Sequence, residues 1–541
     1  MFSLAKTFDD ERFKRIVAVL IALLTVLAAL IALLQSDASA RDDRANRDTK
    51  RYATEAMGRK VSGDARVNFD YNSAYQAWYE LDTLATSATN RGDDEAAQRY
   101  TTQRDEMTSL SPLLAPQYFD PATGQPNVSR YEADVYLVEI TALNEKFLAA
   151  SVVKDGWDTK ANAYVFHLTL LAVAFFLFGL SITIASSITR WIFAGVGAVA
   201  AVVVISMAAN TWLQPVFDLR ESGDTINAYA NGVGLAHQDR WPEATVAFDQ
   251  AIQGAPTYTN ALVARAQAQG QQGNHEQAIA DYERARAAGN ESASVAGELA
   301  WAYYLQNRFD DATAMNRTAL VASPDELWIQ FDLGLGLLAS GQVDMAKTEY
   351  TRGMEFATKQ VADARAAGGE VPSFLWWSLD DAALQIDTLM AQADGTAASS
   401  QATASGELMQ QLKSLAVGLE NNGKPPEGAI AGTISPFEFS TPATNDVGDT
   451  FPGGTDEVLV TFDYDAMQDG QEVFYKVYID GEEDPSWRLI GPWDLGASGT
   501  AEKPLSLTYS DVFVLNPGEY TVEMYVDSHL AQRGSFTIEE S

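Results

Sequence analysis

Residues that could do chemistry are few in this chain, and they are scattered. The four histidines, His167, His237, His275 and His529, lie far apart, and none stands at metal-ligand spacing from carboxylates. There is no cysteine, which excludes disulfides, thiol catalysis and cysteine-ligated zinc. Asp463, Asp465 and Asp469 run up to Gly470 in a calcium-like series. Met467 and Gln468 stand where such a loop needs an oxygen ligand and a glycine, so an acidic turn between strands is expected instead. Trp487 and Trp493 share a Gly/Pro-containing stretch that could stack on a sugar or a peptide, but large aromatics usually belong to a core. No phosphate-binding glycine loop, nucleophile elbow or dinucleotide fingerprint occurs. The sequence therefore predicts no enzyme, no cofactor and no metal, and what it offers is surface.

The surface comes from a repeat. Between Asp224 and Ala357 the same marks return every 34 residues, four times over. Small residues fall at Ala244, Ala278, Ala312 and Ala346, and again at Ala251, Ala285, Ala319 and Gly353. Larger ones stand between them at Phe248, Tyr282, Asn316 and Tyr350. Gly232, Ala266, Ala300 and Gly334 are small where two helices of one repeat must touch, and Trp241, His275, Phe309 and Val343 precede each second helix. Pro256, Asn290 and Pro324 close the repeats. Closely crossing helices need small side chains at the contact and large ones beside it. One helix pair cannot bury its apolar face alone, so neighbours stack.

At these positions the chain resembles the tetratricopeptide-repeat (TPR) family, departing at Asn316, where an aromatic is usual, and at Asn290, where proline is. The resemblance implies an α-solenoid whose first helices line a concave face. On that pattern Tyr229, Val233, His237, Val263, Gln267, Trp301, Tyr304, Trp328, Phe331 and Leu335 face inward and would bind a protein or peptide partner. The basic clamp that some family members use for acidic peptides is not apparent. The alternative is that Trp328 and Phe331 simply pack against the helices after Gln360.

Composition sets the rest of the frame. At 541 residues three or four units are expected. Asp and Glu number 73 against 37 Lys and Arg, a formal net charge of −36, which argues against nucleic acid as a partner. Three runs are apolar and long enough to span a bilayer: Ile16–Leu34, Tyr164 to about Ser187, and Trp191–Trp212. The first reads as an uncleaved anchor, although Ala38-Ser39-Ala40 looks like a signal-peptide cleavage site. His167 is expected near the edge of the second span, reaching the interface. Gly195, Gly197 and Ala201 give the third a smooth face for close helix contact. The charge of the short flanks predicts a multi-pass protein of a bacterial plasma membrane, with the repeats and the C-terminal region outside the cytoplasm. The layout of one span, a helical loop and two further spans, together with the run Tyr75-Gln76-Ala77-Trp78-Tyr79 and His167, resembles an uncharacterised bacterial membrane family of the DUF4337 type.

The expected architecture is mainly α: three transmembrane helices and a TPR solenoid, followed by an all-β domain. Residues 1–35 are the N-terminal tail and first span, 36–162 a helical extramembrane domain, 163–213 a transmembrane hairpin and 224–358 four repeats. Residues 359–420 are capping helices, with a flexible Ala/Ser/Thr link at Gly395–Ser405. Residues 421–455, rich in proline and glycine, read as an extended linker. Residues 456–541 read as an immunoglobulin-like β-sandwich, with strands at Val458–Phe462, Val473–Ile479, Leu505–Val514, Tyr520–Val526 and Ser535–Ile538. Two functions fit: a membrane-anchored scaffold, or an accessory or sensory subunit of a membrane transporter or signalling complex. Oligomeric state is left open.

Overall fold

The computed structural model describes residues 2–120, 124–218, 222–392, 399–430, 432–442, 447–506 and 514–540. They form two compact units, Met1–Asn290 and Glu291–Ser541.

The first unit opens on α1 (Phe2–Phe69), a single helix of 68 residues. A π-helical turn at Asp70–Tyr75 leads into α2 (Gln76–Asn90) and α3 (Asp94–Met107). The two-residue strands β1 (Phe119–Asp120) and β2 (Gln125–Pro126) pair antiparallel. Next come α4 (Val128–Glu132), a second π-helical turn at Ala133–Leu137, and α5 (Val138–Thr183). The chain turns at residues 184–186 into α6 (Ser187–Leu213). α1 and α5 run antiparallel: Arg59 pairs with Glu139 at the start of α5, and Phe13 meets Trp191 just beyond its end.

Buried positions on these helices recur every seven residues. They are Val17, Leu24, Ile31 and Ala38 on α1, Tyr164, Leu171 and Phe178 on α5, and Ala194, Ala201 and Ala208 with Gly197, Val204 and Thr211 on α6. A seven-residue period is that of helices supercoiling left-handedly. Gly197 lies against Phe178 and the Ala174 carbonyl, so the small face of α6 serves α5; Gly195 faces open space. All three helices are long and apolar enough to cross a membrane.

The boundary expected at residues 162/163 falls within the unbroken α5, which has no proline to stop it; its Gly156 packs against Val216. One expectation is corrected here. His167 does not reach an edge: it is buried between the helices, with Tyr164 edge-on at 5.9 Å.

Outside the apolar stretch a separate core gathers Val67, Tyr75, Trp78, Leu113, Tyr118, Phe119 and Tyr131. Asp70 is buried there, accepting hydrogen bonds from Ser111 Oγ at 2.9 Å and the Tyr131 hydroxyl at 2.5 Å. Burial, and then the Asp70 carboxylate, push the Tyr131 phenol up to about 12.

The 34-residue periods become helix pairs. The first unit holds α7 (Gly223–Ala236), α8 (Trp241–Gly254), α9 (Thr259–Gln271) and α10 (His275–Ala287). The second holds α11 (Ala293–Leu305), α12 (Phe309–Ala322), α13 (Leu327–Ala339) and α14 (Val343–Ala366). Then follow α15 (Ser373–Gln392) and α16 (Ser399–Asn422), which close over α13 and α14 in one apolar cluster. Of the expected flexible link, residues 395–398 lie outside the described residues. Residues 399–405 are the first turns of α16, where Ala404 and Ser405 are small because they are buried.

The C-terminal region is β-rich. Its strands are β3 (Thr433–Ile434), β4 (Glu438–Ser440), β5 (Thr450–Phe451), β6 (Glu457–Asp465), β7 (Glu472–Ile479), β8 (Glu482–Glu483), β9 (Leu489–Pro492), β10 (Gly499–Ser506), β11 (Gly518–Val526) and β12 (His529–Ile538). One sheet is ordered β10-β6-β3, with β4 also on β6; the other is β5-β12-β11-β7-β8, with β9 also on β7. Part of the expected strand Leu505–Val514, residues 507–513, lies outside the described residues. The Asp480-Gly481 turn has positive φ at both residues, as a tight hairpin requires.

The expected linker 421–455 is not a linker. It contributes β3, β4 and β5, because Phe439 and Phe451 belong to the core between the sheets and Phe437 packs beside them. The strands are also fixed to the capping helices. Gln410 Nε2 donates to the Leu530 carbonyl at 2.8 Å, and Leu530 N donates to Ser414 Oγ at 2.9 Å. Lys413 meets the fully buried Glu523 at 2.6 Å, and Arg533 meets Asp387 at 2.7 Å.

Four of the candidates in the C-terminal region have partners within it. Asp463 accepts from Thr500 Oγ1 at 2.6 Å and Asp465 accepts from Ser498, so hydroxyls of the neighbouring strand and turn satisfy these carboxylates. Trp487 and Trp493 are buried, their indole N–H groups donating to Asp484 and to the Gly496 carbonyl.

Candidate partner-binding surface

Each repeat is built as the spacing requires. α8, α10, α12 and α14 begin at Trp241, His275, Phe309 and Val343. The eight small positions of the second helices are all buried. Gly232 lies under Phe248, and a Cβ at Gly334 would stand 2.8 Å from the Tyr350 ring. One periodic signal went unread in the sequence. The turn inside each repeat has a residue of positive φ at the same offset: Asp239, Gly273, Asn307 and Gly341. These are the types that tolerate a left-handed backbone most cheaply.

In the first unit, the first helix of the first repeat already has a neighbour. Ile226 and Ala230 of α7 pack with Ala142 of α5, and Gly234 lies against Val138. His237 Nε2 is 2.8 Å from Glu132 Oε2. Asn260, in the first turn of α9, donates to Glu145 at 2.8 Å. Burial, then the charge of Glu145, raise the Tyr229 phenol above its ordinary value. His237 and Tyr229 are thus engaged by the chain itself. Val233 and Val263 are half-buried among neighbouring repeat residues, and Gln267 is exposed. Glu132 and Glu145 carried no signal in the sequence, since only tertiary packing sets them over α7 and α9.

The two repeats of this unit are tied by Arg265 of α9, which bridges Asp249 of α8 at 2.5 Å and Asp281 of α10 at 2.6 Å. Asp281 is buried, with Arg284 3.0 Å away as its remaining cation. Arg265→Met is expected to destabilise these repeats by about 2 kcal/mol, read as faster hydrogen exchange in α8–α10, since it leaves a buried carboxylate under-compensated.

In the second unit the aromatic candidates part company. Trp301 and Tyr304 are half-buried and stack on one another, ring centroids 5.1 Å apart and planes 13° apart. Trp328 is half-buried against Gly297, whose missing side chain makes room for the indole. Phe331 and Leu335 are each 1% exposed. Phe331 stacks on Tyr350 at 5.7 Å and covers Gly353; Leu335 joins the cluster that includes Leu379 and Ile386 of α15. These two are therefore corrected from partner contacts to core. α13 is apolar on every side, as a helix enclosed by α11, α14 and α15 must be.

One acid sits in that enclosed helix. Asp332, 8% exposed, is held up at about 8 by burial first and then by Asp381 and Glu298, with a hydrogen bond to Gln385 acting the other way. Gln385 donates to Asp381 at 2.7 Å. The same burial lifts Tyr304 to about 12. As the lone charge in Leu327–Ala339 it was a legible oddity. Among the described residues no group of histidines and carboxylates could hold a metal ion.

The tetratricopeptide-repeat family profile matches residues 270–329. Solved structures similar to the chain include YrrB, described as a TPR protein with an unusual peptide-binding site, at 14% identity over 36% of this chain and 92% of that one, TM-score 0.26. Another is MamA (residues 41 to the end) from Desulfovibrio magneticus RS-1, at 19% identity over 35% and 96%, TM-score 0.25. No curated protein matches the chain. Residues 270–329 therefore match tetratricopeptide repeats, a fold that suggests a scaffold for protein–protein interaction.

Proposed function

We propose that the chain is a non-catalytic scaffold, anchored in a bacterial plasma membrane by α1, α5 and α6, whose repeats hold a protein or peptide partner. The observation that carries the partner is the Trp301–Tyr304 pair: two large aromatics stacked on a first helix and left half open, the kind of anchor that dominates peptide recognition.

The anchor rests on where the apolar surface lies. Ile16, Val19, Leu23 and Leu30 of α1, Phe166 and Phe176 of α5, and Val199 and Val202 of α6 all remain exposed. An aromatic and cationic layer bounds this band at each end: Phe13, Trp191 and Arg190 at one, Trp157, Arg41, Lys160 and Trp212 at the other. Between Trp191 and Trp212, α6 rises about 32 Å, near the thickness of a bilayer's hydrocarbon. In this arrangement the repeats and the β-rich region, read as an immunoglobulin-like sandwich, stand outside the cytoplasm.

Crosslinking in intact cells, followed by purification in detergent, tests the partner. A protein retained by the native chain should bind at least tenfold more weakly to Trp301→Ala/Tyr304→Ala and normally to the exposed control Val321→Ala. Undiminished retention by the double variant would defeat the assignment. For the anchor, the chain should stay in the membrane fraction through alkaline carbonate washing, and external protease should reach the repeats; release by carbonate would refute it.

A further inference from the structure

The second unit holds a cavity of about 740 Å³ away from the first helices, walled by α14 and α16 and roofed by the strap Pro425–Ile430. Met354 of α14, Leu415 of α16 and Ile430 of the strap supply apolar lining, a composition and volume usual for ligand sites. The cavity is preformed. Gly418 lets Pro426 lie against α16, where a Cβ would stand 2.7 Å from the proline ring, and His529 places a ring nitrogen 3.1 Å from the Gly428 carbonyl. The α14 side of the wall is Thr351, Met354, Glu355 and Thr358.

Charge selects the occupant. Glu355 and Glu407 line the groove, and no lysine or arginine does among its described lining residues. Glu407 is matched by Lys347 at 2.7 Å; Glu355 is exposed and has no ion pair among the described residues. A fatty acid or an anionic lipid head would meet like charge, whereas a basic side chain would find a counter-ion beside an apolar slot.

We infer that this groove is a second docking site, taking a peptide segment of a partner that sets a lysine or arginine next to an apolar side chain. It does not depend on the Trp301–Tyr304 surface, and either can fail without the other.

A phage-displayed library of random dodecapeptides, selected against the full chain in lipid nanodiscs, provides the probe. The expected consensus pairs a basic with an apolar residue, and the selected peptide should lose at least tenfold in affinity with Glu355→Lys and with Ile430→Asp, while Val321→Ala, an exposed position outside both surfaces, leaves it unchanged. Glu355 is a surface residue, so circular dichroism should show that variant folded. No consensus, a consensus without a cation, or undiminished binding to both groove variants overturns the inference. So does displacement of the peptide by oleate at equal concentration, which would give the groove to a lipid.

Discussion

Replacing Phe331 by alanine is expected to cost about 3–5 kcal/mol of local stability, the range for a fully buried phenylalanine. The ring touches both helices of its repeat: it stacks on Tyr350 and fills the space that Gly353 leaves open. Truncation would strip Tyr350 of its stacking partner and open a void that α13 and α14 cannot close, since Gly334 already brings the backbone as near the tyrosine as it can come. Hydrogen exchange of the full chain should show amides of α13 and α14 exchanging roughly a hundredfold faster or more. Trp301→Ala removes a half-exposed ring, and its exchange pattern should change far less. If Phe331→Ala instead left exchange unaltered and abolished partner binding, its place in the core would be wrong.

The contrast shows what a sequence of this kind discloses. Helix pairing was legible because it depends on residue size at a fixed period: Ala244, Ala278, Ala312 and Ala346 are small for one steric reason repeated four times. Which first-helix side chains stay open was not legible, because that depends on what lies across from them. Phe331 and Leu335 are closed by α14 and α15, and Tyr229 and His237 meet Glu145 and Glu132, a hundred residues earlier in the chain or nearly so. Long helices hid their own boundaries for the same reason. α5 runs unbroken from beside the Trp78–Tyr131 core into the apolar band, and hydropathy marks only where the composition changes. Proline and glycine misled at 421–455, where Phe437, Phe439 and Phe451, not the breakers, decided the outcome.

Asp332→Asn is expected to stabilise the second unit near neutral pH and to flatten its dependence on pH. The acid lies among Asp381 and Glu298, with Tyr304 and Tyr350 close by, and Gln385 is its hydrogen-bonding neighbour. Among the described residues the groups that act on it are Asp381, Glu298 and Gln385, none of them a cation. Its folded value of about 8 is above the unfolded one near 3.8, so the folded state binds the proton more tightly. Below the lower value both states are protonated and the group opposes nothing. As pH rises from about 4 to 8 the unfolded chain ionises freely while the folded one resists, and stability falls; above 8 the loss is complete. Four units correspond to at most about 5–6 kcal/mol, and relaxation around a newly charged group leaves less. Asparagine keeps the shape and a hydrogen-bonding carbonyl but cannot ionise. The variant should therefore gain about 2–4 kcal/mol at pH 8 and little at pH 4.5, measured as protection of α13 and α15 amides after correction for intrinsic exchange rates. Equal pH slopes for the native chain and the variant would mean that Asp332 ionises without cost, and that the enclosure drawn around α13 is open to water.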